Sequence, residues 1–497
     1  METRLGPVGE DVEMRWSRDT RHVAYAIVRD GRHYLVLDGT PGAAFDEIQR
    51  YSIRISPDGS RAACVGRRGK EWYFAVDDRV HGPFDAISSE ELVFGESGNH
   101  FAFVGSRGGC EHAVIDGSVG PGYASVTNIV LSPDGKRYAY LARTPREDWS
   151  AEKSVFGDER TGAFRTSVVV DGRVLPEVDA LFMGGGLTPW PEFSQDGRRW
   201  ALIASCGEKQ YVLVDGRADP AFDRIRSYSL TFSPDGRHYA YVAQHGESAM
   251  VVTDGVASSP HTDIFELTWS PATGELAYVA RDDDGWRVVV AGRAGPRFDH
   301  CWGLTFSPCG RRLAYAAAAG ERECAVVDGI QGPWFEYVGD LAQHPHLVFT
   351  FSHDGSHLAY CATQGEQSCM VLDGTPGPWY FSVDRTVTFS PDDKHVAYVA
   401  AKELFAERIV RDGREGPAFR GIQESTLRFS PDGKSVACMA AVDNRPVVVI
   451  DDWTGPRGDM RWAGEPVFIS NDVVEYLAVS QDSLYRVRCE RKGIDGK

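Results

Sequence analysis

Carboxylate and imidazole side chains recur at fixed places along this chain, and both are residue types that bind metals or transfer protons. Asp ends the same β-branched run in ten copies of a repeated segment, as at Asp38, Asp116, Asp215 and Asp328. Each of these residues is followed by Gly or by a second Asp, which predicts a turn. Because metal binding would require the carboxylates to converge, we interpret them as turn residues that bond to the local backbone.

Histidine recurs at a second position, six residues after an apolar anchor residue. The histidines are His22, His100, His238, His357 and His395, and other copies carry Arg61, Arg137, Arg199 or Arg312 at the same position. A position that accepts Arg predicts a polar strand end rather than a metal ligand.

The closely paired histidines His344 and His346 do not complete a metal site, because a zinc ion takes three or four protein ligands. No Gly-x-Ser-x-Gly or His-Glu-x-x-His motif occurs. Gly433-Lys434-Ser435 matches the end of the P-loop motif, but Arg428 occupies the position of its first glycine, so the motif is incomplete. We therefore expect no cofactor, no metal and no linear catalytic motif.

Composition limits the partners. The net charge is −18, which disfavours a nucleic-acid backbone as partner. No apolar stretch approaches the ~18–20 residues that span a bilayer, and the first residues lack a secretory pattern. We expect a cytoplasmic protein with no membrane partner. The ten cysteines have no regular spacing, and we expect Cys64, Cys361 and Cys438 to be small core residues.

These residues belong to a repeat of roughly 40 residues, which is the period of a propeller blade. The anchors lie 37–45 residues apart, except for a spacing of 62 after Leu131. The twelve anchors are Trp16, Ile55, Phe94, Leu131, Phe193, Phe232, Trp269, Phe306, Phe351, Phe389, Phe429 and Phe468.

Each copy predicts four strands. A short strand ends at the anchor, and Ser-Pro-Asp-Gly then suits a type I turn. Residues 237–243 alternate as a second strand, and residues 168–172 are typical of a third strand before an Asp-Gly turn. A weaker fourth strand is expected after Gly-Pro, as in Gly295-Pro296.

A small residue stands eight positions after the anchor in eleven of the twelve copies. These residues are Ala24, Ala63, Ala102, Ala139, Ala201, Ala240, Ala277, Ala314, Ala359, Ala397 and Ala437, and the last copy has Tyr476. A small side chain at one fixed strand position predicts close approach of a neighbouring blade. Four strands per repeat with blade-on-blade packing is the β-propeller pattern.

The Phe-Ser-Pro-Asp-Gly turn followed by an Ala-Tyr-Val strand resembles the TolB-like (PD40, or WD40-like) propeller repeat. The resemblance covers nearly the whole chain and implies an all-β protein of twelve four-stranded blades. It implies no particular activity.

We predict two six-bladed propellers, over residues 1–255 and 256–497. The boundary is placed where the Gly-Pro after Asp254-Gly255 is lost. The first residues read as a fourth strand and the last as a third, so one terminus can complete the blade at the other and remove an open edge. Seven plus five blades, or one large ring, remain alternatives.

The insertions predict where a partner binds. They fall at the ends of the blades that carry the second-to-third loops and the blade connections, and loops often carry function. We expect a non-catalytic scaffold for a protein or peptide. The alternative is a hydrolase or lyase with its site in an axial channel. The oligomeric state is left open. The candidate contact residues are Trp149, Phe156, Arg160, Trp190, His344 and His346.

Overall fold

The computed structural model of the chain describes residues 2–7, 13–19, 21–145, 164–175, 191–339, 349–442, 445–455, 461–462, 465–480 and 483–491. All regular elements in these ranges are β-strands, and they form twelve antiparallel sheets. The protein is therefore an all-β chain of twelve propeller blades. The chain divides into two compact units: Pro7–Ser259, called the first unit here, and Met1–Gly6 with Pro260–Lys497, called the second unit.

The first unit contains blades 1–6, and the strands of each blade pair in chain order. The bounds are: blade 1, Met14–Trp16, Val23–Arg29, Arg32–Leu37 and Thr40–Phe45; blade 2, Glu47–Ile48 with Arg54–Ile55, Ala62–Arg68, Glu71–Val76 and Arg79–Phe84; blade 3, Ala86–Ile87 with Val93–Phe94, Phe101–Arg107, Cys110–Ile115 and Ser118–Tyr123; blade 4, Ser125–Leu131, Tyr138–Pro145, Phe164–Val170 and Arg173–Val174; blade 5, Glu192–Phe193, Trp200–Cys206, Lys209–Val214 and Arg217–Ala218; blade 6, Arg224–Ile225 with Thr231–Phe232, Tyr239–His245, Ser248–Thr253 and Val256–Ala257.

The second unit contains blades 7–12, and the N-terminal strand is the outer strand of blade 12. The bounds are: blade 7, Asp263–Trp269, Leu276–Asp282, Gly285–Val290 and Arg293–Phe298; blade 8, His300–Phe306, Leu313–Ala319, Arg322–Val327 and Ile330–Phe335; blade 9, Tyr337–Val338 with Thr350–Phe351, Leu358–Gln364, Gln367–Leu372 and Thr375–Tyr380; blade 10, Ser382–Phe389, Val396–Ala401, Glu407–Arg411 and Arg414–Phe419; blade 11, Ile422–Phe429, Val436–Val442, Arg445–Ile450 and Trp453–Thr454; blade 12, Arg461–Trp462 with Val467–Ser470, Val473–Ser480, Ser483–Glu490 and Glu2–Pro7.

The Ser-Pro-Asp-Gly segments form the predicted turns between first and second strands. In blade 4 the Gly135 N–H donates to the Ser132 carbonyl at 2.8 Å, which closes the turn. The Ser132 hydroxyl donates to Asp134 at 2.7 Å and accepts from the Arg137 N–H at 3.0 Å. Hydrogen bonds to Ser132 and to the Lys136 N–H hold the pKa of Asp134 below its usual range. The turn is therefore rigid at both its backbone and its side chains.

The fourth strand begins earlier than the sequence predicted. In blade 7, Ala291 and Gly292 both have positive φ, +47° and +74°, which is the two-residue turn that continues directly into a hairpin. In blade 7 the fourth strand accordingly covers Arg293–Phe298, and Gly295-Pro296 lies inside it. The pairing register shifts there, as expected for a bulge that accommodates proline's missing N–H.

The repeated alanines lie where one blade packs on the next. All eleven are at most 1% exposed. Ala314 of blade 8 belongs to one apolar cluster with Phe349 and Tyr360 of blade 9. Ala359 of blade 9 is clustered in the same way with aromatic residues of blade 10. The predicted close approach is therefore confirmed, and its cause is an aromatic side chain of the following blade.

The three cysteines that were expected in the core are buried: Cys64, Cys361 and Cys438. Burial raises the pKa of the Cys64 thiol to about 12, so it stays protonated at neutral pH. Cys110, by contrast, is exposed.

Candidate functional site

The repeated aspartates and the repeated His or Arg side chains bond to one another. Asp328 accepts from the Arg312 Nε at 3.1 Å and from the Leu313 N–H at 2.9 Å. The same pairs in other blades are His22–Asp38, Arg61–Asp77, His100–Asp116, Arg137–Asp171, Arg199–Asp215, His238–Asp254, His357–Asp373 and His395–Asp412.

This pairing corrects one sequence interpretation. The aspartates do lie in turns, but their bonds extend to the start of the second strand rather than staying within the turn. The signal that could have found the partners is their separation, which is 16 residues in most copies, as for Arg312 and Asp328. These pairs define one end of each blade, called the turn end here. The opposite end, which carries the second-to-third loops, is called the loop end.

Where the position is Arg, the side chain also bridges to the next blade. Arg312 of blade 8 donates from Nη1 to the Ser356 carbonyl of blade 9 at 2.8 Å. Its guanidinium lies 5.6 Å from the centre of the Phe351 ring. An ion pair, a cation–π contact and a hydrogen bond thus close the turn end of the junction between blades 8 and 9.

A carboxylate closes the loop end of the same junction. Glu323, on the third strand of blade 8, accepts from the Val338 N–H of blade 9 at 2.7 Å. Burial raises the pKa of Glu323, against the lowering effect of this bond. Equivalent bonds, each between residues 15 apart, join Glu111 to Val126, Gln210 to Ile225 and Glu407 to Ile422.

The junction between blades 9 and 10 has other residues at both of these positions. His357 replaces the arginine; it bonds to Asp373 of its own blade at 2.7 Å and lies over the Phe389 ring, 6.4 Å between centroids. Ser368 replaces the glutamate, and its hydroxyl is 3.1 Å from the Thr363 hydroxyl of the same blade. Both side chains are therefore too short to make the two bridges of the previous junction.

The turn of blade 10 differs as well. Asp393, with φ of +57°, stands where most other copies have the turn glycine. In blade 2 that glycine, Gly59, is so close to His22 of blade 1 that an added Cβ would lie 2.4 Å from the ring. The Cβ of Asp393 prevents an equally close approach to the His357 ring, so the turn of blade 10 meets blade 9 through the Asp393 carboxylate instead.

A groove of about 540 Å³ opens at this place, called the turn-end groove. Asp393 forms one side of the gap and accepts from the His353 N–H at 2.8 Å and the Asp354 N–H at 2.9 Å. The groove combines apolar and charged side chains. Its lining residues are His357, Met370, Leu372, Asp373, Thr375, Pro376, Gly377, Pro378, Phe389, Asp393, Lys394, His395, Val396, Tyr398, Asp412 and Gly413.

A second cavity, of about 280 Å³, opens at the other end of the same junction and is called the loop-end cavity. Three carboxylates line it. Burial raises the pKa of Glu424, and the neighbouring charges of Asp384 and Glu407 raise it further. The lining residues are Gly339, Cys361, Thr363, Ser368, Ser382, Val383, Asp384, Val399, Ala400, Ala401, Glu407 and Glu424.

Large apolar side chains are exposed beside this cavity. Leu404 and Phe405 are each 69% exposed, and they belong to the short loop between the lining residues Ala401 and Glu407. Phe381, next to the lining residue Ser382, is 49% exposed. An exposed apolar group around a polar cavity is characteristic of an interaction surface.

The six residues predicted from the sequence to contact a partner, Trp149, Phe156, Arg160, Trp190, His344 and His346, lie outside the described residues. The described residues on either side of two of these segments show where the segments leave the blades. Residues 146–163 are flanked by Pro145 and Phe164, which pair with each other at the loop end of blade 4. Gly339, directly before residues 340–348, lines the loop-end cavity. The sequence did not identify Phe381, Leu404 or Phe405, since single apolar residues in a loop give no periodic signal.

Within the described ranges, no group of three or more His, Cys, Asp or Glu side chains is arranged to hold a metal ion, and this includes the three carboxylates of the loop-end cavity. Nor does that part of the chain contain a helix that could span a membrane.

No protein-family model and no curated protein matches this sequence. Solved structures with similar folds include a eukaryotic initiation factor (12% identity, TM-score 0.35, covering 78% of this chain and 97% of that one). Another is the β-propeller domain of the Trilobed protease from Pyrococcus furiosus (13% identity, TM-score 0.26, covering 59% of this chain and 97% of that one). A third is the Dos1 propeller (10% identity, TM-score 0.27, covering 61% of this chain and 92% of that one). At these identities and TM-scores the similarity carries no further argument.

Proposed function

We propose that this protein is a non-catalytic scaffold that binds a protein or peptide partner at the loop end of its blades. The observation that supports this most directly is the exposed loop of Leu404 and Phe405 beside the acidic loop-end cavity. Apolar side chains with this exposure supply binding energy when a partner removes them from water. The carboxylates of the cavity favour a basic group on the same partner.

The location agrees with the sequence argument from insertions. Residues 144–165 and the loop of Leu404 and Phe405 each join a second strand to a third strand at the loop end. Residues 340–348 instead lie between the two first-strand segments of blade 9, Tyr337–Val338 and Thr350–Phe351, and not in a blade connection as the sequence predicted. Trp149 and Trp190 are suitable anchors, because Trp contributes heavily to interface energies. The partner has at least one apolar and one basic side chain in this proposal.

The test is a pull-down from the source organism's lysate with identification by mass spectrometry. The bait is the full chain, compared with the double variant Leu404→Ser, Phe405→Ser. Ile330→Ser is the matched control, since Ile330 is 74% exposed but lies at the turn end of blade 8. Loss of a partner with the double variant and its retention by Ile330→Ser is the expected result.

A second bait has residues 144–164 replaced by a short turn, which tests the insertion of blade 4. If both altered baits, still folded by melting temperature, capture the same proteins as the full chain, the loop end is not the binding surface.

We also propose that each unit is a six-bladed propeller of the TolB-like (PD40) repeat class. The support is the Ser-Pro-Asp-Gly repeat, the six sheets in each unit, and the N-terminal strand that lies beside the last strand of blade 12. A low-resolution particle shape checks this, because a single wide annulus would contradict two rings.

A further inference from the structure

The chain itself places an arginine side chain between successive blades at the turn end. In the first unit, Arg199 of blade 5 bonds to Asp215 at 2.9 Å and to the Arg237 carbonyl of blade 6 at 2.6 Å. Its guanidinium lies 5.9 Å from the centre of the Phe232 ring. Arg61, Arg137 and Arg312 have the same three kinds of contact.

These four examples define what receives a guanidinium in this fold. The receptor consists of the aspartate that follows the third strand, an aromatic ring of the next blade, and the carbonyl just before that blade's second strand begins. The ring is the anchor residue for Arg137, Arg199 and Arg312 and is Phe101 for Arg61. A planar cation with several donors matches this set, whereas an ammonium group does not stack on a ring in the same way.

The turn-end groove presents the same three groups with a histidine in place of the arginine: His357 bonds to the aspartate at 2.7 Å and lies over the ring. Asp373, Phe389 and Lys394 are the residues that correspond to Asp328, Phe351 and Ser356 of the previous junction, and all three line the groove. The shorter His357 side chain occupies part of the space. Because Asp393 keeps the next turn away, the remainder stays open.

Charge and polarity agree with an arginine side chain. Three aspartates and one lysine, Lys394, are the Asp, Glu, Lys and Arg residues of the described lining. Each aspartate also bonds to one histidine ring, and a carboxylate with about four acceptor sites can accept further donors. The pairs are Asp373–His357, Asp393–His353 and Asp412–His395. Met370 and Leu372 give an apolar wall for the methylene groups.

We propose that the turn-end groove binds an arginine side chain presented by a peptide segment of a partner protein. The bound side chain lies beside His357, in the part of the Arg312 position that the shorter imidazole leaves open. This inference is independent of the loop-end proposal, because the groove opens at the opposite end of the blades and shares no lining residue with the loop-end cavity.

The test uses the full chain and three capped pentapeptides that differ at the central residue: arginine, lysine or citrulline. Binding is followed by ligand-observed NMR, which detects weak association. We expect saturable binding of the arginine peptide, and affinities at least about tenfold lower for the other two, because citrulline lacks the charge and lysine lacks the fork of donors. Equal binding of all three peptides would overturn the proposal.

Two variants locate the site. His357→Arg supplies the missing side chain from within, so it should abolish binding of the arginine peptide and raise the melting temperature. His22→Arg is the matched control: Gly59 leaves no room beside His22, so it should lower the melting temperature and leave binding unchanged. If His357→Arg folds and still binds the peptide, the groove is not the site.

A third variant keeps the test decisive if His357→Arg does not fold. Lys394→Glu changes a side chain that is 75% exposed and adds negative charge at the groove. It should strengthen binding of the arginine peptide by about two- to fivefold, the range for an exposed ion pair. Unchanged or weaker binding contradicts the proposal. Neither result depends on the loop-end pull-down, so the two proposals can fail separately.

Discussion

The junction of blades 8 and 9 and the junction of blades 9 and 10 come from the same repeat but differ at both ends. In the first, Arg312 and Glu323 bond across to the next blade. In the second, His357 and Ser368 bond within their own blade. The first junction is closed at these two positions, and the second opens into a groove at one end and a cavity at the other.

The comparison shows where a repeat protein can place a binding site. Residues that recur in most copies hold blades together, and a site becomes available where such residues are replaced. At the turn end, the bonds of Asp393 to His353 and Asp354 stand in place of the Arg312 bridge. At the loop end, Ser368 does not replace the Glu323 bridge, so this end of the junction should be less stable than that of its neighbour. Functional sites commonly carry a cost of this kind.

Removal of the arginine bridge should have the largest effect. Arg312→Ala loses a charge-assisted hydrogen bond, an ion pair and a ring contact, and should lower the free energy of unfolding by about 2–3 kcal/mol. His357→Ala should lower it by about 1 kcal/mol, since it loses one hydrogen bond within its own blade and a distant ring contact with Phe389 of blade 10. Urea unfolding followed by tryptophan fluorescence measures both. Equal losses would mean that the arginine bridge does not distinguish the two junctions.

Removal of the loop-end carboxylate should have the next largest effect. Val338 is 4% exposed, so Glu323→Ala leaves a buried N–H without its acceptor and should cost about 1–2 kcal/mol. Glu323→Gln is the control and should be nearly neutral, because Gln210 makes the same bond in blade 5. The same unfolding experiment checks this pair. A large loss with Gln would show that the charge, and not the acceptor, is required.

A new bridge at the loop end of the junction between blades 9 and 10 should change the free energy of unfolding by a smaller amount, and should increase it. Ser368→Gln places an acceptor 15 residues before Val383, the separation found at the sister junctions. One added hydrogen bond should raise the free energy of unfolding by about 0.5–1 kcal/mol. It should also weaken partner capture by filling the loop-end cavity. Loss of stability would indicate that the cavity walls cannot accommodate the bridge.

The smallest expected effect is a pH dependence. Because burial and two nearby carboxylates raise the pKa of Glu424, the folded state holds that proton more tightly than the unfolded state. Its contribution to stability is therefore complete below the ordinary glutamate pKa, and it declines as pH rises through the raised folded value.

Glu424→Gln should remove this decline. Its melting temperature relative to the unaltered chain should be higher at pH 8 than at pH 4. A difference that does not change with pH would show that the pKa of Glu424 is not raised in the folded protein.

Much of the fold could be predicted from particular residues. Ser132 and Gly135 were expected in a turn, and a hydrogen bond between them closes that turn. Ala314 was expected against a neighbouring blade and packs in one cluster with Tyr360. The start of the fourth strand at Arg293 was not expected, because Gly-Pro usually interrupts a strand and here lies in a bulge. The candidate contacts Trp149 and Trp190 remain predictions.

The sequence by itself determined the number of blades and their strand and turn order, because those depend on local periodicity and on the backbone preferences of Gly, Pro and Asp. The tertiary structure decided which side chains meet across a junction. Asp393 borders the turn-end groove because its Cβ prevents close packing on His357 and its carboxylate bonds to blade 9. Its partner His353 lies 40 residues away in the chain. A local pattern contains no information about contacts at that separation, since they depend on how one blade packs against the next.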